Sequence, residues 1–325
     1  MKPRIYIDGQ AGTTGLQIRD RLARRDDVEL VSIEDSRRKD PEARRALLRS
    51  VDVAILCLPD EAAREAIALA EGAPTRWLDA SSAHRVADGW VYGLPELAAE
   101  QRAAIRTAAC VSNPGCYPTG VVLLLRPLVD SGLVPPGAPI VVHALSGYSG
   151  GGRQMIERWQ TESNGLVALP FEAPYALDRV HKHIPEMQRY SGLSHAPHFV
   201  PAVGPFHSGM RVEISLHRAI LPERASVSEI AAALRERYRE EPFVGVRLLD
   251  QPPSDERAFD PQRLNDTNQV ELAVTANPLG HVLLVATLDN LGKGAAGAAV
   301  QNLNLMLGFD ERLGLGPTVR DARAA

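Results

Sequence analysis

The sequence predicts an α/β protein: a doubly wound parallel sheet into which a second, α+β domain is inserted. Three observations lead there. Over the first third of the chain, short apolar runs alternate with segments of helical period. The first run ends in a glycine-rich turn, Gly9-Gln10-Ala11-Gly12-Thr13-Thr14-Gly15, which opens the first helix. Past Pro135-Pro136-Gly137 the alternation gives way to longer strand-like runs, and the chain closes on an Ala/Gly-rich helix.

Taken in order, Arg4-Ile5-Tyr6-Ile7-Asp8 has the apolar character of a strand buried on both faces. Residues 16–25 carry Leu16, Ile18, Leu22 and Ala23 at helical spacing. A strand at 28–33, a short helix at 44–48, a strand at 51–58 and a helix at 60–70 continue the alternation, followed by a strand around Trp77-Leu78-Asp79. Cys110-Val111-Ser112 is a further strand that delivers the chain to Cys116. An apolar helix at 118–130 comes next, with Pro118 expected at its first position, where a missing N–H costs nothing. Strands at 140–144, 199–203, 209–216, 270–276 and 281–288 form the second sheet, with a helix at 227–239 on it and loops at 251–253 and 265–268. The small residues opening the last helix, 295–307, call for close packing, which is expected against the first sheet. The first domain is then discontinuous, residues 1–115 plus 289–325, and residues 116–288 are the insert.

Composition narrows the function. A chain of 325 residues is too long for one comfortable core. A formal net charge of -4 gives no pull toward nucleic acid or an anionic membrane. Three cysteines, Cys57, Cys110 and Cys116, make neither a disulfide framework nor a metal pattern, so no metal is expected and a reducing compartment fits. Met1-Lys2-Pro3-Arg4 runs straight into a strand without a signal-peptide pattern, and no apolar run is long enough to span a bilayer. A cytoplasmic protein with a small-molecule substrate is expected.

Cys116 lies in Asn113-Pro114-Gly115-Cys116-Tyr117-Pro118-Thr119, on a tight turn before an apolar helix. The positive end of a helix dipole favours a thiolate, the nucleophilic form; a cysteine that merely fills a turn needs no such placement. Gly9, Gly12, Thr13, Thr14 and Gly15 form a strand–turn–helix junction where backbone and helix N-terminus can meet a dinucleotide diphosphate. After the second strand come Glu34, Asp35, Ser36, Arg37 and Arg38. The acids suit ribose hydroxyls and NAD. Ser36, Arg37 and Arg38 suit a 2′-phosphate, and the reading leans to NADP; a solvated charge run is the plain alternative. Ser81, Ser82 and Arg85 follow a strand end and offer hydroxyls and a guanidinium to a phosphate or carboxylate, although the same stretch could start a capped helix. Ser146-Gly147-Tyr148-Ser149-Gly150-Gly151-Gly152-Arg153 could wrap a small ligand or be a mobile surface loop. His181 and His183, two apart, are suited to moving protons near neutral pH.

The run from Ser112 to Thr119, together with His181-Lys182-His183-Ile184-Pro185-Glu186, resembles the N-acetyl-gamma-glutamyl-phosphate reductases of arginine biosynthesis. Tyr92-Gly93-Leu94-Pro95-Glu96-Leu97 and the closing Asp289-Asn290-Leu291-Gly292-Lys293-Gly294-Ala295-Ala296-Gly297 extend the likeness over nearly the whole chain and point to the short, type 2 subfamily. The resemblance implies a Rossmann-like cofactor domain on a plan like glyceraldehyde-3-phosphate dehydrogenase, NADP(H) as cofactor and an acyl phosphate as substrate. It makes Cys116 the nucleophile that expels phosphate and leaves a thioester, with His183 preferred over His181 as acid–base. It puts Arg85 on the leaving phosphate, Asn290 near the nicotinamide, and Ser82, Asn113, Ser146 and Gly147 among the substrate contacts. A homo-oligomer, dimer or tetramer, is expected. His207 stands where many relatives carry another residue. The competing readings are aspartate-semialdehyde dehydrogenase, a lysine-pathway acyl-phosphate reductase, a cysteine hydrolase using Cys116 and His183, and a non-catalytic NADP-binding sensor.

Overall fold

The structure is a computed structural model that describes residues 1–37, 40–249 and 255–319. Its described residues divide into two compact units: those of 1–114 with 295–315, and those of 115–294 with 316–319.

In the first unit, β1 (Arg4–Asp8) leads through the glycine turn into α1 (Thr13–Leu22), then β2 (Glu29–Val31), α2 (Pro41–Leu48), β3 (Val53–Leu56) and α3 (Asp60–Leu69). β4 (Arg76–Asp79), the two-residue β5 (Val91–Tyr92), α4 (Gln101–Thr107) and β6 (Cys110–Ser112) complete it. The strands pair in parallel in the order β2-β1-β3-β4-β6-β5, and the chain reverses its winding direction at β1. This is the doubly wound sheet that the alternation predicts. β3 is buried along its whole length, which explains why it reads as a continuous apolar run. Asp40 starts α2 by accepting from the Glu42 and Ala43 N–H groups, with Pro41 at the first helical position. The helix therefore begins three residues before the expected 44.

The second unit opens with α5 (Cys116–Asp130), followed by β7 (Val141–Gly147), α6 (Gly152–Gln160), the short β8 (Ala173–Pro174), α7 (Ile184–Ser191), β9 (His198–Gly204) and β10 (Met210–Leu216). α8 (Val227–Arg237), β11 (Val244–Leu248), β12 (Val270–Ala276) and β13 (Val282–Leu288) follow. Seven strands form a mixed sheet in the order β11-β12-β13-β10-β7-β9-β8. α5 is apolar all round because it is covered all round, with Tyr117 to Leu125 buried without exception. Gly120 lets it approach the sheet: a Cβ there would stand 3.1 Å from the Val212 side chain. The hydroxyl of Tyr238, the C-cap of α8, donates to the Leu123 carbonyl of α5. A π-turn, Gly292–Ala296, then leads into α9 (Gly297–Met306), which belongs to the first unit and packs there on α1, α4 and β4.

Two expectations are corrected. Pro118 is the third residue of α5, not the first; Gly115 is the N-cap, and Cys116 itself occupies the first helical position. Ser146 and Gly147 end strand β7 rather than forming a loop, because they continue its pairing with β9 up to Gly204. The expected loop at 251–253 lies outside the described residues.

Candidate active site

In the second unit the chemistry gathers at the N-terminus of α5. Cys116 sits at the point where the helix dipole is most positive. The N-cap Gly115 donates its N–H to Glu186 Oε2 at 3.0 Å, and that carboxylate is 1% exposed. Glu186 lies in the first turn of α7, whose N-cap is His183. The buried His183 ring meets His181 edge-on, centroids 4.8 Å apart, and lies 5.8 Å from the ring of Tyr117, the residue after the cysteine.

His181 is held from two sides. Its Nδ1 accepts the His183 backbone N–H at 3.2 Å, so the neutral ring carries its proton on Nε2, which faces the Tyr175 hydroxyl at 3.5 Å. That hydroxyl donates to the Tyr117 hydroxyl at 3.3 Å, which also bonds the Ser146 side chain. Burial, reinforced by the neighbouring Tyr175 and Cys116, pushes the Tyr117 phenol well above its ordinary range; burial first of all raises Tyr175 to about 12. Both hydroxyls therefore remain protonated at neutral pH, as a hydrogen-bond relay beside the thiol needs.

The other candidates of this unit have different tasks. Asn290 brackets the backbone: its Oδ1 accepts from Gly209 N–H at 2.7 Å and its Nδ2 donates to Ser149 Oγ at 3.0 Å. Gly147 passes so close to His207 that a Cβ would stand 2.5 Å from the His207 carbonyl oxygen. His207 packs edge-on against Tyr148, 5.5 Å between centroids, and is exposed.

In the first unit, Gly9 adopts φ +86°, and a Cβ there would stand 2.3 Å from the Cys57 carbonyl oxygen. One at Gly15 would meet the Gly9 carbonyl oxygen at 2.5 Å. Gly12 caps α1 without a side chain, and no acidic residue occupies the first turn. The N–H groups of Thr13, Thr14 and Gly15 thus open a ten-residue helix without a side-chain acceptor at the cap, a cradle fitting a diphosphate. Ser36 and Arg37 are exposed, and Arg37 pairs with Asp40 at 3.1 Å. Arg38 lies outside the described residues. The Ser82 hydroxyl donates to Asp60 in the first turn of α3 at 2.8 Å. Arg85 is buried, with one guanidinium N–H on the Ala80 carbonyl. Asn113 is a buried bracket too, donating to the Ala295 carbonyl and accepting from Asn302.

Sequence reasoning missed Tyr117, Tyr175 and Glu186 as site residues. Glu186 stood in plain view within the histidine motif. Tyr175 carried no signal, because its segment has no periodicity.

The three thiols differ in environment. Burial pushes Cys57 up to about 12, with Asp79 and Asp8 adding to it, and burial also raises Cys110. Iodoacetamide at neutral pH is therefore expected to label Cys116 and to spare the other two, read by peptide mass spectrometry. Faster labelling of Cys57 or Cys110 would show that burial does not set the reactivity of these thiols.

Among the described residues, no group of three or more His, Cys, Asp or Glu side chains could hold a metal ion, and no helix is long and apolar enough to cross a membrane.

Comparison with known proteins gives a consistent answer. Residues 4–105 match the model of the semialdehyde dehydrogenase NAD binding domain, and residues 116–290 that of the semialdehyde dehydrogenase dimerisation domain. The chain is 51% identical over 321 residues to N-acetyl-gamma-glutamyl-phosphate reductase of Trichormus variabilis, covering 97% of this chain and 99% of that one. It is 48% identical to N-acetyl-gamma-glutamyl-phosphate reductase 2 of Pseudomonas putida, over 94% of this chain and 97% of that one. Among solved structures, aspartate semialdehyde dehydrogenase from Francisella tularensis superposes with a TM-score of 0.71 at 15% identity, over 94% of this chain and 100% of that one. The Candida albicans enzyme with NADP gives 0.67 at 16%, over 94% and 98%. The solved structures establish the fold, and the near relatives the family: the chain belongs to the N-acetyl-gamma-glutamyl-phosphate reductases, within the wider semialdehyde dehydrogenase group.

Proposed function

We propose that the protein catalyses the NADPH-dependent reduction of N-acetyl-gamma-glutamyl phosphate to N-acetylglutamate 5-semialdehyde, with release of phosphate, as a step of arginine biosynthesis in the cytoplasm. The observation that carries this is Cys116 at the first position of α5 beside the His181–Tyr175–Tyr117 chain and His183, in a chain 51% identical to a reductase of that name. The match to a dimerisation-domain model supports a homo-oligomer, dimer or tetramer.

In this reading His183 takes the thiol proton, and the Cys116 thiolate attacks the acyl carbon. The bond from that carbon to the phosphate oxygen breaks, and phosphate leaves with the electron pair and the proton that His183 held. Acyl phosphates are good acyl donors, so a thiolate suffices without a metal. When bound, NADPH supplies the hydride that takes the thioester to the aldehyde level. The carbon–sulfur bond then breaks and Cys116 returns as thiolate. The glycine turn Gly9–Gly15 would hold the diphosphate, and Ser36, Arg37 and Arg38 the 2′-phosphate. Arg85 with Ser82 would meet the leaving phosphate, Asn290 the nicotinamide side, and Asn113, Ser146 and Gly147 the substrate. The buried brackets made by Asn113 and Asn290 favour roles exerted through the backbone they fix.

The test is the reverse reaction: N-acetylglutamate semialdehyde, phosphate and NADP⁺, with NADPH followed by absorbance. Phosphate-dependent formation of NADPH supports the proposal. NADPH formation without phosphate would indicate that water, not phosphate, resolves the thioester; no NADPH formation and no cofactor binding would favour a hydrolase, cofactor binding without turnover a sensor, and a preference for aspartate semialdehyde the neighbouring dehydrogenase.

Cofactor choice gives a further expectation. Replacing Arg37 and Arg38 together by Ala should weaken NADPH binding by roughly tenfold or more while leaving NADH within about twofold, because only a 2′-phosphate loses charge-assisted partners. An equal loss for both cofactors, measured by fluorescence titration, would show that these arginines form only a solvated face.

A further inference from the structure

Lys293 is a large, fully buried side chain that the proposed mechanism does not use. Burying an ammonium is costly unless its surroundings compensate, so its position carries energetic weight. Its Nζ lies 5.9 Å from the ring centroid of Phe243, itself fully buried, within cation–π range. The lysine sits in the π-turn Gly292–Ala296, a geometry uncommon in helices and frequent at functional sites.

That turn touches the nucleophile. Gly294 runs against Cys116 so closely that a Cβ on it would stand 2.8 Å from Cys116 Cβ and 3.3 Å from its Cα. The turn is pinned at its start as well: Asp289 accepts the Leu291 N–H on Oδ1 and the Asp266 N–H on Oδ2, each at 2.9 Å. The Gly294 N–H closes back on the Asp289 carbonyl at 2.9 Å. Gly292 leaves no slack, since a Cβ there would stand 2.1 Å from the Thr267 carbonyl oxygen. The buried Asp289 carboxyl and the buried Lys293 side chain thus both hold the stretch that leads directly into Gly294, the wall against which Cys116 rests.

We propose that Lys293 is a positioning residue for Cys116: its buried side chain anchors the π-turn whose Gly294 backbone fixes where the thiol stands. A thiol displaced from that place leaves the positive end of the α5 dipole, which favours its anion. The inference rests on Cys116 as the nucleophile of the proposed function.

The test measures Cys116 itself as well as turnover. Lys293→Met keeps the unbranched stem across Phe243 and removes the charge. In the intact protein, its kcat in the reverse assay should fall about tenfold or more with KM within about twofold, and its pH profile of iodoacetamide alkylation at Cys116 should move to higher pH. NADPH binding should stay at the wild-type value. Lys293→Arg should restore most of the alkylation profile. Gly294→Ala, which leaves the lysine in place and displaces the wall, should also alter the rate of alkylation, and it serves as the test if Lys293→Met does not fold. Wild-type alkylation rate and pH profile in a folded Lys293→Met, or in Gly294→Ala where the first variant is unfolded, overturns the proposal. If the wild-type protein turns over no semialdehyde yet Lys293→Met shifts the alkylation profile, the substrate assignment fails and the positioning role stands.

Discussion

Cys116→Ser is expected to lower turnover by roughly 10³-fold or more, about 4 kcal/mol of lost transition-state stabilisation, while NADPH binding and thermal stability stay near wild type. The physical reason is the nucleophile alone. A serine hydroxyl at the same helix N-terminus keeps the shape and the dipole, but its alkoxide is far less accessible at neutral pH than a thiolate. The oxygen is slightly smaller than sulfur, and the wall formed by Gly294 leaves it room, so the turn should not shift. The measurement is the reverse assay alongside fluorescence titration with NADPH. Retention of more than a few per cent of activity would end the covalent mechanism. A parallel loss of NADPH binding would mean that the substitution disturbs more than the sulfur.

The candidate residues stand out in the chain because they come in short motifs. The thiol, the glycine turn and the histidine pair each occupy fewer than nine consecutive positions, and a local pattern fixes local geometry. The parallel sheet was legible for a related reason: strands such as β3 are buried on both faces and stand out as unbroken apolar runs. What could not be read depends on pairing at a distance. Tyr175 reaches the site only because the short β8 is laid antiparallel on β9, and two residues of strand leave no periodic trace. β11 was missed because its Val244 and Val246 stand among glycine and arginine and show no clean alternation. α6 carries no expectation in the sequence beyond its first two residues, since its glycine-led start hides the helical period of Met155, Ile156 and Trp159. The placement of Cys116 at the first helical position, rather than before it, follows from Gly115 taking the N-cap with its N–H drawn onto Glu186. That carboxylate lies 71 residues away along the chain, beyond the reach of any local rule.

His183→Asn is expected to cut kcat by roughly 10²–10⁴, the usual worth of a general acid–base, with KM changed little. His181→Asn is expected to raise KM more than it lowers kcat. The structure gives the two rings different standing. His183 is the N-cap of α7, buried 5.8 Å from the Tyr117 ring, one residue from the thiol. His181 is committed at both nitrogens: Nδ1 to the His183 N–H and Nε2 to the Tyr175 hydroxyl. A ring engaged on both sides is suited to orienting and poorly suited to exchanging a proton, since protonating Nδ1 would expel the N–H it accepts. Losing His181 also loosens the backbone N–H of His183, so some loss of kcat is expected there too, smaller than that from His183→Asn itself. The separation appears in the pH dependence of kcat/KM. Removing the acid–base should flatten the limb governed by imidazole titration, whereas removing the orienting ring should lower the curve and keep its shape. If His181→Asn flattens the profile and His183→Asn merely lowers it, the two roles are exchanged. If neither variant changes the profile, the proton passes through another group, and the Tyr175–Tyr117 hydroxyl pair would be the next to examine.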